Sequence, residues 1–321
     1  MQINKKTNPE LLVECVRDGL IDEEHFGFIV LSDKKRAFDF TGETNNYPYY
    51  LRSCAKPLQA SLVIDYEMDK FYDMTDEEIA LCCASHAGEE IHVNTARKLL
   101  NKIGLDESCL KCGLHKPLSK TEQAKMLLNS TPVNVLQNNC SGKHIMMLGL
   151  CKMKNWDIET YYMPDHPLQK AIKAKIYDLC KLTKEYPITT DGCGVPIVSM
   201  PLTNMLHGYL NLFGNPKYER IKNAFLKHPY IIGGEDRTDT KIIENSEGII
   251  AKVGAGGLCI VVNTKTEEAF VVKICDCDMK ARELVVIQIL KNLHWAEIEA
   301  DTDIKTISGK VVGEIKVLPF S

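Results

Sequence analysis

The chain has 321 residues, 45% of them hydrophobic, and a formal net charge of −4, enough for one large domain or two small ones around a sizeable core. That balance leaves no basic stripe for nucleic acid, and there is no run of about 18 apolar residues that would span a bilayer. Met1-Gln2-Ile3-Asn4-Lys5-Lys6 is not followed by the apolar stretch of a signal peptide, so a soluble cytoplasmic protein without nucleic-acid or membrane partners is expected.

Residues 11–16, 27–31 and 37–40 are short aliphatic and aromatic runs between polar turns, a strand pattern. Then comes Arg52-Ser53-Cys54-Ala55-Lys56-Pro57, in front of an apolar run at 58–64 that reads as a helix. Positions i and i+3 share a helix face, which puts the Ser53 hydroxyl within reach of the Lys56 amine. A neutral lysine can take a proton from a serine and make it a nucleophile. Two other Ser-x-x-Lys pairs, Ser32 with Lys35 and Ser108 with Lys111, fall in polar connections and read as accidents.

Helical spacing continues at 76–84, 91–103, 144–152, 168–182 and 217–228, so the middle, about 58–230, is mostly helical. Ala84-Ser85-His86-Ala87-Gly88-Glu89 breaks the first of these with small residues. It suits a loop reaching a site, or an ordinary helix end turned by Gly88. Asn138-Asn139-Cys140-Ser141-Gly142-Lys143-His144 precedes a buried helix. Such a helix start binds anions and lowers a thiol pKa; it also reads as a plain N-cap at Ser141. Asp191-Gly192-Cys193-Gly194-Val195-Pro196 is a tight turn around an acid and a thiol. Cys140 and Cys193 could meet to hold Zn²⁺ with a nitrogen ligand.

The C-terminal part returns to β-branched runs at 248–253, 257–263 and 269–274, a periodic helix at 279–293, and an edge strand at 310–318. Lys252 is centred in the first run, either facing water from an edge or buried and there paired or neutral. Thirteen cysteines, many inside apolar runs, fit buried thiols in a reducing compartment better than a disulfide framework; Cys109 and Cys112 have zinc spacing without a second pair. No linker or repeat is visible. Strands from both ends with helices between them predict one α/β sandwich over residues 1–321, an antiparallel sheet flanked by helices.

Taken together, Arg52-Ser-Cys-Ala-Lys-Pro57, Ala84-Ser-His-Ala-Gly-Glu89, Cys140-Ser-Gly-Lys-His144, Asp191-Gly-Cys-Gly-Val-Pro196 and Lys252-Val-Gly254 resemble the rhizobial-type L-asparaginases, the asparaginase II family. The resemblance spans nearly the whole chain. It implies a fold related to serine β-lactamases and glutaminases, a homodimer, and two Ser-Lys tandems, Ser53 with Lys56 and Ser85 with Lys252. It also implies a zinc ion held by Cys140, Lys143 and Cys193, with Asp191 and His144 lining the pocket. One further cysteine of the family pattern is missing from Gly234-Glu-Asp-Arg-Thr238-Asp239.

The expected reaction is hydrolysis of L-asparagine to L-aspartate and ammonia. Asp191 would pair with the substrate ammonium, and Arg52 or His144 with its carboxylate. The zinc would organise the pocket rather than make the nucleophile. The alternatives are a glutaminase or other serine acyl hydrolase and, from a different class, a zinc or thiol sensor. Penicillin recognition is disfavoured because no Ser-Asp-Asn segment is present.

Overall fold

The computed structural model describes residues 8–33, 37–39 and 47–319; Lys35 and Phe40 lie outside them. In chain order the strands and helices are β1 (Glu10–Arg17), β2 (Leu20–Asp33), β3 (Ala37–Asp39), β4 (Tyr49–Tyr50), α1 (Lys56–Asp65), α2 (Met68–Phe71), α3 (Asp76–Cys83), α4 (Glu90–Ile103), α5 (Lys120–Leu128), α6 (Ser141–Lys154) and α7 (Pro167–Leu179). They continue with β5 (Ile188–Thr190), β6 (Pro196–Met200), α8 (Leu202–Phe213), α9 (Glu219–Lys227), α10 (Pro229–Ile232), α11 (Thr238–Glu244), β7 (Ile249–Gly254), β8 (Leu258–Asn263), β9 (Glu268–Ile274), α12 (Met279–Asn292), β10 (Asp303–Lys305) and β11 (Val311–Val317).

The main sheet runs β10-β11-β1-β2-β9-β8-β7, with β3 paired to β2. Each neighbouring pair is antiparallel. The expected α/β sandwich, with one sheet from the two chain ends and helices against it, is what the chain builds. Every residue of β7 and β8 is buried, so both faces of that part are covered, and α8 and α12 pack on it. The segment expected as an edge strand is β11, which lies inside β10. The second sheet, β4-β6-β5, was not anticipated; its strands have two, five and three residues, too few for a period to register.

The sheet's other edge positions the site. Strand β7 is last in the order, but its flank is closed by α11 and by the 3₁₀ turn Arg52–Ala55. Cys54 Sγ donates to Lys252 O at 3.2 Å, and Tyr209 Oη of α8 donates to Cys54 O at 2.8 Å. Helix α6 presses on the end of α3 so tightly that a Cβ on Gly142 would lie 2.3 Å from Leu81 O. That approach brings the first turn of α6 beside the loop that carries Ser85.

Candidate active site

Ser53 sits in the 3₁₀ turn and Lys56 begins α1. Arg52 takes a left-handed φ of +49° to enter that turn, a conformation that costs a non-glycine residue about 1–3 kcal/mol. Ser85 lies just past α3, on backbone pinned by two hydrogen bonds: Ser85 N–H to Ile232 O and Ala87 N–H to Gly233 O. Gly88 turns this loop at φ +77°, and a Cβ there would meet Gln137 O at 2.6 Å. The outcome is that Ser85 Oγ donates to Ser53 Oγ at 3.3 Å.

Lys56 is buried, and its Nζ donates to Ala84 O at 2.7 Å and Asn139 O at 2.8 Å. Burial pushes its pKa down to about 8; the Cys140 charge opposes this, and the nearby Lys143 and Lys252 add to it. A neutral amine has two N–H donors, which the two carbonyls match, leaving the lone pair free for a proton.

Residues Cys140, Lys143 and His144 come from the start of α6, with Cys140 at the cap position expected for Ser141. Ser141 instead bonds His86 Nε2 and Leu136 O. The β5–β6 hairpin supplies Asp191 and Cys193, closed by Asp191 N–H to Val195 O and Gly194 N–H to Asp191 O. Lys143 Nζ donates to Cys193 Sγ at 2.9 Å. The Cys193 thiol, Lys56 and Lys143 together hold Cys140 well below the ordinary thiol range, although burial opposes them. We place the cluster's thiolate on Cys140, with Cys193 the protonated donor to it. Burial would lower the Lys143 pKa, but the two cysteines outweigh it and raise it.

Arg52 Nε donates to Asp191 Oδ1 at 2.7 Å. Asp191 is held below the usual carboxylate range by Lys143 and Arg52 against the cost of its burial. Burial and the two neighbouring lysines keep His144 neutral. Its Nδ1 meets Tyr161 Oη at 2.6 Å, and its buried Nε2 has no hydrogen-bond partner. These contacts and charges gather Arg52, Lys56, Cys140, Lys143, His144, Asp191 and Cys193, and they set Ser85 beside Ser53.

Neither expected Ser–Lys contact is a hydrogen bond among the described residues: Lys56 Nζ bonds the Ala84 and Asn139 carbonyls rather than Ser53. Lys252 is not hydrogen-bonded to Ser85 among the described residues; its Nζ lies 3.0 Å from Asp239 Oδ2, both side chains fully buried. Asp239 stands in the segment noted for its missing cysteine, and its partnership had no signal in the sequence. Tyr161, in a loop without periodicity, gave none either. Of the other Ser-x-x-Lys pairs, Ser108 bonds Asp106 and Lys111 pairs with Glu159. All thirteen cysteines are free thiols, so Cys109 and Cys112 form no bridge.

The family model of L-asparaginase II matches residues 13–317. The chain belongs to the L-asparaginase II family. Membership supports a hydrolase acting on amides, with a small-molecule substrate. No curated protein matches the chain in sequence. Among solved structures it is similar to a class C β-lactamase, at 12% identity and TM-score 0.46, over 86% of this chain and 92% of that one. A β-lactamase from Mycobacterium bovis is similar at 12% identity and TM-score 0.42, over 83% and 94%. No helix among the described residues is long and apolar enough to cross a membrane.

Proposed function

We propose that this family member hydrolyses the side-chain amide of L-asparagine to L-aspartate and ammonia through a serine acyl-enzyme. The observation that carries the reading is the pair of hydroxyls, Ser53 and Ser85, 3.3 Å apart, with the buried Lys56 bonded to the carbonyl of Ala84, the residue before Ser85. Ser53 Oγ attacks the amide carbonyl carbon and its proton passes to Lys56 Nζ. The C–N bond then breaks, and the amide nitrogen leaves as ammonia with that proton, relayed by the Ser85 hydroxyl. Water adds to the acyl ester with Lys56 again taking a proton, and aspartate departs as Ser53 is restored.

Lys252, ion-paired to Asp239, acts as a fixed positive charge near the reacting oxygens rather than as a second base. Asp191 takes the substrate ammonium. The terminal nitrogens of Arg52, which have no partner among the described residues, take the carboxylate together with His144 Nε2–H. Cys140, Lys143 and Cys193 fit a zinc ion: two sulfurs and an amine, all buried, converge there. A zinc ion bound there supplies positive charge that orders the pocket.

The test is ammonia release from L-asparagine and L-glutamine by the purified chain and by Ser53→Ala and Ser85→Ala. Release from asparagine, lost in at least one variant, is expected. Faster release from glutamine would move the substrate assignment, since one methylene decides only about 1–3 kcal/mol. Near-normal turnover in both serine variants would sink the acyl-enzyme.

A further inference from the structure

We infer a second metal site, suited to zinc, where Cys15, Glu23 and His25 meet on the main sheet. It rests on residues that the active-site reading does not use. Strands β1 and β2 place Cys15 directly opposite Glu23. His25 lies two residues along from Glu23, and side chains at i and i+2 of a strand share a face. The register therefore aims a thiol, a carboxylate and an imidazole at one point, and one ligand atom from each lies within 4.8 Å of the others.

The spacings leave room for an ion between the three ligand atoms. Cys15 Sγ is 3.8 Å from His25 Nε2, and Glu23 Oε2 is also 3.8 Å from that nitrogen. A charge-assisted N–H···O bond would be about 2.7–2.9 Å, so the Glu23–His25 gap is too long for one. Tetrahedral zinc, with Zn–S about 2.3 Å and Zn–N and Zn–O about 2.0–2.2 Å, needs separations of roughly 3.6 Å for S···N and 3.4 Å for N···O. For the two separations that involve His25 Nε2, closing from 3.8 Å takes a few tenths of an ångström.

The surroundings fit as well. His25 Nδ1 lies 2.7 Å from Asp276 Oδ2. A carboxylate that accepts the Nδ1–H leaves Nε2 as the lone pair facing Cys15 and Glu23, the usual support of a metal-bound histidine. Glu23 has no lysine or arginine partner among the described residues. Two of the cations lining the adjoining cavity are already engaged: Arg17 with Asp22, and Lys305 with Asp301 and Asp303. Cys15 and His25 are buried while Glu23 is exposed. A cavity of about 380 Å³ adjoins all three residues and leaves room for a fourth, non-protein ligand. A thiolate and an imidazole select zinc over the hard cations calcium and magnesium. Binding would release the Cys15 thiol proton to solvent.

The test uses the full chain stripped of metal and titrated with Zn²⁺ alone against a competing chelator. Co²⁺ in place of zinc reports a thiolate ligand by its charge-transfer absorption. One bound equivalent should persist in Cys140→Ser/Cys193→Ser protein and vanish with Cys15→Ser. Glu23→Gln, at an exposed side chain that the fold does not need, should weaken it at least tenfold. Asp276→Asn should weaken it about 10–100-fold by releasing the histidine. If the Cys140→Ser/Cys193→Ser protein does not fold, the wild-type background serves, and one equivalent should be lost with Cys15→Ser. Zinc content and affinity indifferent to both Cys15→Ser and Glu23→Gln would overturn the site and leave His25 simply hydrogen-bonded to Asp276.

Discussion

Lys56 and Lys252 are both among the largest fully buried side chains of the molecule, yet their surroundings are opposite in kind. Lys56 meets two neutral carbonyls, and its pKa falls to about 8. Lys252 meets a full carboxylate, Asp239, in an ion pair with no exposed side-chain surface. A neutral dipole satisfies an amine's N–H groups without holding its proton, whereas a carboxylate holds the proton through its charge. Burial alone does not make a lysine a base; the charge of its partner decides. In the proposed mechanism the contrast suits Lys56 to proton transfer and leaves Lys252 to its ion pair with Asp239.

The sharpest way to break that division is to remove each amine in turn. Lys56→Met should lower kcat/KM for asparagine by about 10²–10⁴-fold, the usual worth of a general base. In the intact enzyme kcat/KM should rise with pH and level off above about 8, because the neutral amine is the active form and is roughly a tenth of the population at pH 7. Arginine in place of Lys56 should be as inactive as methionine, since it keeps the charge and cannot give up the proton. If Lys252→Met abolished the rise with pH while Lys56→Met kept it, the roles would have to be exchanged.

The second prediction concerns stability. Asp239→Asn leaves a buried ammonium without its counter-charge and should cost about 3–5 kcal/mol, measured by denaturant unfolding. Asp239→Leu/Lys252→Met, which removes both charges, should recover most of that loss while remaining poorly active. The sign of the pH dependence follows from the depressed Asp239 pKa. Its contribution is in place above the unfolded-state value near 3.8 and is lost as pH falls below that through the lower folded value. The acid limb of the stability curve should therefore flatten in Asp239→Asn. A double variant no more stable than the single one would mean that the pair is not what stabilises this edge.

The same two lysines mark how far the sequence could be read. Lys56 could be singled out because Ser53 lies three residues away, and a helical turn fixes that spacing whatever the rest of the chain does. The strands of both chain ends were legible because their β-branched runs are long and bounded by turns, as in β7 to β9. Asp239 was not, because the bond to Lys252 joins a seven-residue helix to a strand thirteen positions on. No local period encodes such a contact, and the segment's only visible mark was a cysteine it lacks. The Cys15–Glu23 pairing escaped for a related reason: it depends on a register that shifts twice within β1 and β2, and bulges carry no compositional sign here.

Tyr161 gives the smallest and most diagnostic test. Its Oη accepts the backbone N–H of Lys111 at 2.9 Å and meets His144 Nδ1 at 2.6 Å. The phenol has one proton, and burial raises its pKa, so it donates to Nδ1 and fixes the proton of the neutral imidazole on Nε2. That N–H is the buried group without a partner, and an unmet buried donor costs about 1–3 kcal/mol unless a substrate oxygen meets it. Tyr161→Phe strands the Lys111 N–H and frees the tautomer. It should cost about 1–3 kcal/mol of stability and raise KM for asparagine several-fold with kcat little changed. His144→Ala should raise KM similarly, and the double variant should be no worse than His144→Ala, because both act through one hydrogen bond. A stability loss with KM unmoved in either variant would make the Tyr161–His144 pair a packing element, and the carboxylate contact would then fall to Arg52 alone.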